Sequence, residues 1–248
     1  MKRIMLTVAY DGTNYNGWQV QPNGVTIEEK LNLAIHDLTG EEIQVIGASR
    51  TDAGVHALCN AAVFDTESPI EARKFAPALN ARLPEDIRIQ KSIEVDGNFH
   101  PRHCNSKKTY EYRIYRSQYE NPIGRQYAHF VYVPLDVEKM NEAAAYFVGE
   151  HDFESFCSKK AQVLTTVRTV YEATFREEGD YLIFRISGNG FLFNMVRIIA
   201  GTLIEIGRGA MEVSEIPDIL KGKDRSLAGP TAPARGLCLV KYEFEGIE

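Results

Sequence analysis

The order of secondary-structure signals constrains this chain most, because the same order occurs twice. Residues 3–10, RIMLTVAY, read as a strand, and a loop rich in Gly and Asn follows. TIEEKLNLAIHDLTG then carries apolar residues at helical spacing: Ile27, Leu31, Ala34, Ile35 and Leu38. Thr26 and Glu29 form a capping-box pattern before it, and Gly40 is a natural stop. IQVIG and ALCNAAVF read as strands, Pro69 to Asn80 as a helix, and IRIQKSIEV as a strand. The first half is therefore β-α-β-β-α-β.

The second half repeats this plan. TYEYRIYR is a strand, and DVEKMNEAAAYFVG is a helix with Asp136 as cap and Gly149 as stop. TTVRTVYEATFREEGDYLIFRISG is a hairpin, FLFNMVRIIAGTLIEIG a helix, and GLCLVKYEF the closing strand. No residue-level repeat links the halves. The shared order predicts an α+β protein of two ferredoxin-like units, antiparallel sheets joined side by side, over residues 1–105 and 106–248. Helices on one face of each sheet leave the other face, or a cleft, for a ligand, as in RNA-recognition modules.

Composition fits a globular chain with its own core: 44% of residues are hydrophobic and 25% charged. The N-terminal apolar run is too short for a signal peptide, and no run is long enough for a membrane helix. Cys59, Cys104, Cys157 and Cys238 are far apart, which predicts neither disulfides nor a cysteine zinc site but a reduced, cytoplasmic protein. FHPRHC groups His100, His103 and Cys104, but the flanking Pro101 and Arg102 fit a surface loop better than a metal site.

The net charge is −6, yet the charge is segregated. His100 to Arg116 holds five Lys/Arg and one acid, while Asp136 to Glu154 holds six acids and one base. Such a run is either a solvated face or a contact for an anion. Tyr110, Tyr112 and Tyr115 interleave with the basic residues, which suits backbone contacts together with base stacking.

The segment GASRTDAGVHA, Gly47 to Ala57, has no apolar periodicity. It sets Asp52 beside Arg50 among small residues that would let a large ligand approach. It is either a turn held by an Arg–Asp pair or a site for one carboxylate acting as nucleophile or base. The chain has no nucleophile elbow, no phosphate-binding Gly loop ending in Lys-Ser or Lys-Thr, and no His pair at metal spacing on a helix. Arg197 is the one basic residue of the apolar helix FLFNMVRIIAGTLIEI. Its guanidinium either faces an acid from elsewhere in the fold or reaches the surface over its apolar neighbours.

Five ordered stretches resemble the tRNA pseudouridine synthase A family. They are YDGTNYNGWQVQPN, Arg50 to Ala57 (RTDAGVHA), KKTYEYRI, GFLFNMVRIIAGTL, and AP-x-x-GL from Ala232 to Leu237. Ser49 stands where glycine is common, and Phe193 where tyrosine often occurs. The resemblance implies the pseudouridine synthase fold and the isomerisation of uridine at positions 38, 39 and 40, in the anticodon stem-loop of tRNA. It implies no metal and no organic cofactor, and a homodimer that holds tRNA across both subunits. It maps Asp52 onto the nucleophile, Arg197 onto that residue's partner and Tyr110 onto the tyrosine that packs on the target base. Arg50 is a further substrate-binding candidate. Basic residues of His100 to Arg116, with Lys159, Lys160 and Arg168, are candidate phosphate contacts. A non-catalytic RNA-binding protein, a synthase acting on another RNA, and a carboxylate-dependent hydrolase are the competing readings.

Overall fold

The computed structural model describes residues 1–158 and 164–247. Its α+β chain divides into two compact units: Met1–Asn105 with Leu239–Glu248, and Ser106–Cys238. The sequence reading placed one break at 105/106; residues from Leu239 onward instead cluster with the first unit.

The first unit contains β1 (Lys2–Tyr10), α1 (Ile27–Thr39), β2 (Ile46–Gly47), β3 (His56–Thr66), α2 (Phe75–Asn80) and β4 (Ile87–Val95). β1 lies antiparallel between β4 and β3, and β2 pairs with β3. The order β4-β1-β3-β2 is that of a split β-α-β unit. Strand alternation sorts the core. Ile4, Leu6 and Val8 share a face with Phe64 and Ala62, and Phe75 of α2 packs edge-on against Phe64 at 5.4 Å. Met5, Ala61 and Val63 face the other way and pack with Ala48 and Phe244.

α1 starts and stops as its residues dictate. The Thr26 hydroxyl accepts from the Glu29 N–H, the Glu29 carboxylate accepts from the Thr26 N–H, and Gly40 takes φ 74. The second predicted helix is shorter than its pattern. A 3-10 turn at Ala72–Lys74 leads into a six-residue α2, with Pro77 unable to donate a backbone hydrogen bond.

The second unit contains β5 (Ser106–Arg116), β6 (His129–Val131), α3 (Val137–Ala145), β7 (Gly149–Asp152), β8 (Val167–Glu178), β9 (Tyr181–Gly188), α4 (Met195–Gly207) and α5 (Ile216–Gly222). Its strands run β5-β9-β8-β7, all antiparallel, and β6 joins β5 in parallel. β10 (Leu237–Phe244) closes the chain. α3 ends at Ala145, before the predicted stop. Gly149, at φ 112, opens β7 instead of ending the helix. FLFN is not helical, because Asn194 is left-handed at φ 62 and α4 begins after it. β6, β7 and α5 had no sequence prediction, being too short to carry a clear period.

Alternation on β5 turns Tyr110, Tyr112 and Ile114 to one face and Thr109, Glu111 and Arg113 to the other. Glu111 is buried and accepts from Arg176 and Arg185, each at 2.9 Å. Burial pushes the Glu111 carboxyl up, but the two guanidinium groups outweigh it and hold the pKa below its usual value. A depressed folded pKa contributes stability above the unfolded pKa and loses it as pH falls through the folded one. Glu111→Gln should therefore lower the urea midpoint at pH 7. The gap from wild type should shrink as pH falls from about 5 to about 3. Equal gaps at both ends of that range would show that Glu111 does not carry this charge.

Candidate active site

Asp52 lies in the connection between β2 and β3 and is half-buried. It is the first residue of a turn closed by a hydrogen bond from the Val55 N–H to the Asp52 carbonyl at 3.1 Å. The third residue of that turn, Gly54, takes φ 76, which a side chain disfavours. Just upstream the residues alternate. Ser49 and Thr51 are buried, while Arg50 is exposed and reaches Gln19 Oε1 at 3.4 Å.

The loop is held from beneath by YDGTNYNGWQ. Trp18 N–H donates to the Thr51 carbonyl at 3.1 Å, and Gly54 N–H to the Tyr15 carbonyl at 3.2 Å. Gly12 N–H donates to His56 Nδ1 at 3.1 Å. Two glycines permit this approach. A Cβ at Gly12 would overlap the Val55 carbonyl, and one at Gly17 (φ 85) would lie 2.5 Å from the Thr51 oxygen. The Trp18 indole is fully buried against Gly47, where a Cβ would overlap the ring. Tyr15 OH donates to Asp86 at 2.5 Å; burial and that hydrogen bond push its pKa up.

Two cations flank the loop. Arg102 Nε donates to the Gly47 carbonyl at 2.7 Å. Burial, with the neighbouring Arg50 charge, holds the Arg102 guanidinium below its ordinary value.

Tyr110 and Arg197 belong to the second unit. Tyr110 is on β5, 8% exposed, with its ring edge-on to Phe191 at 5.4 Å. Tyr112 is its buried neighbour on the same face and donates to the Pro233 carbonyl at 2.9 Å; burial pushes its phenol pKa up. Arg197, in the first turn of α4, is partly exposed. Its Nε donates to the Ala232 carbonyl at 2.8 Å and its Nη1 to Asn194 Oδ1 at 2.9 Å. Asn194 immediately precedes the helix, yet its side chain caps no helix N–H. It is given over to Arg197 and, through Nδ2, to Ser158 Oγ at 2.8 Å.

The candidate phosphate contacts differ in their surroundings. Lys107 is exposed and sits 5.9 Å over the Tyr171 ring, itself half-exposed. Arg113 is exposed. Arg116 pairs with Glu177, and Arg168 Nη1 donates to the Thr165 and Val167 carbonyls. Lys159 and Lys160 lie outside the described residues.

The tRNA pseudouridine synthase family model matches residues 6–104 and 143–245. This chain belongs to that family. Three bacterial tRNA pseudouridine synthases A are similar along almost its whole length. That of Ruminiclostridium cellulolyticum is 48% identical, that of Acetivibrio thermocellus 47%, and that of Thermoanaerobacter sp. (strain X514) 46%. Each match covers 98% of this chain and all of the relative. As a tRNA pseudouridine synthase, the chain is an isomerase.

Within this synthase, sequence reasoning had not assigned a role to Tyr10, Gly12, Gly17 or Trp18, which build and hold the aspartate loop, and it had placed Arg102 among the candidate phosphate contacts but not against the Gly47 carbonyl. One signal was legible: YDGTNYNGWQ places two glycines among aromatics with no periodic face. Gly17→Ala should put a Cβ against the Thr51 carbonyl at a positive φ, costing about 1–3 kcal/mol. Urea denaturation would measure this, and a cost under about 0.5 kcal/mol would show that the loop yields easily.

Proposed function

We propose that this synthase converts uridine to pseudouridine at positions 38, 39 and 40 of tRNA, with Asp52 as nucleophile. One observation carries the reading. The stretch Arg50–Ala57 forms a braced loop in which Asp52 is half-buried and its neighbours Ser49 and Thr51 are turned inward. A plain surface turn would not need glycine approaches at both Gly12 and Gly17 to hold it.

In the proposed reaction the bond from uracil N1 to ribose C1′ breaks, the base rotates and C5 bonds to C1′; C5 loses a proton, N1 gains one, and the bond that Asp52 forms as nucleophile breaks again before release. Atoms balance without oxidant or reductant, and the proposal invokes no cofactor. The target base must leave its stack at a cost of a few kcal/mol. We assign Tyr110 to pack on that base, which offsets roughly 1–3 kcal/mol. Arg197 acts as the charge partner of Asp52, favouring the ionised carboxylate a nucleophile requires. Arg50 contacts the RNA. Its neighbour Arg102, with Lys107 and Arg113, supports a backbone track despite the acidic total. We also propose a homodimer. Tyr119, Ile123, Tyr127 and Tyr132, close in sequence, are exposed apolar or aromatic residues available to such an interface. The proposed setting is the cytoplasm; among the described residues no helix is long and apolar enough to cross a membrane.

Two outcomes test this reading. Asp52→Ala should abolish pseudouridine formation on unmodified tRNA while leaving tRNA affinity within about threefold, because phosphate contacts position and one carboxylate reacts. Chemical mapping of pseudouridine and filter binding read the two arms. Turnover retained in Asp52→Ala removes Asp52 as nucleophile, and product at other uridines changes the substrate assignment.

Tyr110 should contribute both ring and hydroxyl. Tyr110→Phe should keep part of the rate, and Tyr110→Ala should lose at least a further tenfold, the equivalent of about 1.4 kcal/mol of stacking. Single-turnover rates on the same tRNA measure both. Near-wild-type turnover in Tyr110→Ala would take Tyr110 out of the site.

A further inference from the structure

Alternation along β3 turns Asn60, Ala62 and Phe64 to the face that packs under α2. The first of these is a carboxamide with no exposed surface. A buried polar side chain in an apolar row is costly unless every hydrogen-bonding position is filled. Here all four are. Asn60 Oδ1 accepts from the Ser49 N–H at 3.2 Å and the Ala61 N–H at 2.9 Å. Asn60 Nδ2 donates to the Ser49 carbonyl at 2.9 Å and to Tyr10 Oη at 3.2 Å. Rotating the amide by half a turn would face Nδ2 against two N–H donors, so the orientation is fixed.

Tyr10 Oη accepts from Asn60 Nδ2 and shares a second hydrogen bond with Thr51 Oγ1, 2.7 Å away, in which either hydroxyl can donate. Tyr10 is 5% exposed and Thr51 7%. The Thr51 carbonyl is held separately by the Trp18 N–H. One buried chain, Asn60–Tyr10–Thr51, thus grips the loop at Ser49 and Thr51, the alternate residues on either side of Arg50. With 49 and 51 fixed inward, Arg50 points out and Asp52 follows directly from an anchored residue.

We infer that Asn60 and Tyr10 are positioning residues for the reaction: through Thr51 they set the direction in which Asp52 leaves the loop. A network that served stability alone could be replaced by apolar side chains of similar shape at little cost, and β3 already has Ala62 and Phe64 in that row. This inference rests on Asp52 being the nucleophile. Displacing a reacting group by about 1 Å can cost on the order of a hundredfold in rate without touching binding.

Tyr10→Phe deletes one oxygen and keeps the ring. Assayed on tRNA well below its melting midpoint, it should lose about tenfold or more in kcat, with tRNA Kd unchanged within twofold. Thr51→Val should show the same split, and Thr51→Ser, which keeps the hydroxyl, should recover most of that loss. The double variant Tyr10→Phe, Thr51→Val should be no slower than the worse single one, because both cut the same link. If Tyr10→Phe lowers the melting midpoint but leaves kcat within twofold of wild type, the network is structural and the inference is overturned. Strictly additive losses in kcat, or no recovery in Thr51→Ser, would overturn it too. Wild type and Asp52→Ala run alongside. An inactive wild type, or an active Asp52→Ala, overturns the nucleophile assignment and this inference with it. Active wild type, dead Asp52→Ala and unaffected Tyr10→Phe overturn this inference alone.

Discussion

The Thr51 carbonyl lies so close to the Gly17 backbone that a Cβ there would sit 2.5 Å from it. Much of the first unit is arranged around that approach. Trp18, the next residue, donates its N–H to the same carbonyl, and its indole is buried against Gly47 at the start of the loop. From the other side Tyr10, the last residue of β1, reaches the Thr51 hydroxyl. An eleven-residue strand, β3, leaves the loop at His56 and is bonded into β1 over most of its length. The loop thus joins two paired strands and has its own floor, and the floor is made by residues far from it in sequence. A connection is usually among the softer parts of a fold. This one is anchored at both ends and in the middle, which is what the proposed role of Asp52 would require.

Charge is managed by placement rather than by the sum. The chain carries net charge −6, and a polyanionic substrate calls for a locally positive surface. Many acids are already engaged within the protein: Asp65 with Arg3, Glu111 with Arg176 and Arg185, Glu177 with Arg116, Asp152 with Lys223. Burial, with the nearby Arg50 charge, disfavours the charge of Arg102, and Lys107 stands over an aromatic ring. The proposed RNA contact draws on these cations.

How much of this was legible in the sequence varies with how local each cause is. α1 was readable to the residue, because a capping box, a five-position apolar stripe and a terminal glycine act within one segment. α2 was overread, since periodicity could not show that Pro77 would sit in a helix of six residues preceded by a 3-10 turn. FLFN was overread for another reason. Its apolar residues continue the pattern of α4, but Asn194 adopts a left-handed conformation. Asp52 stood out because its segment fits neither strand nor helix. Asn60 did not, because one polar residue in ALCNAAVF looks like an outward position until the register with β1 fixes which face is buried. Its partners, Tyr10 and Ser49, come from other elements, and no spacing rule joins them.

The start of α4 gives up a helix cap to hold a side chain. Asparagine before a helix normally takes an extended conformation and accepts a hydrogen bond from an N–H of the first turn, which stabilises the helix by about 1 kcal/mol. Asn194 does neither. Its backbone is left-handed, a conformation asparagine adopts more readily than other side-chain-bearing residues, and its carboxamide accepts from Arg197 and donates to Ser158. The helix can forgo its cap because eleven of its thirteen residues are buried, so packing rather than end effects holds it. What the forgone cap provides is a fixed guanidinium. With Nη1 on Asn194 and Nε on the Ala232 carbonyl, the planar fork is held by two groups on separate segments. A lysine at 197 would keep the charge and lose that fork geometry. The cost in helix-end stability is therefore best understood as the cost of orientation, and it falls on the one basic residue of an otherwise apolar helix.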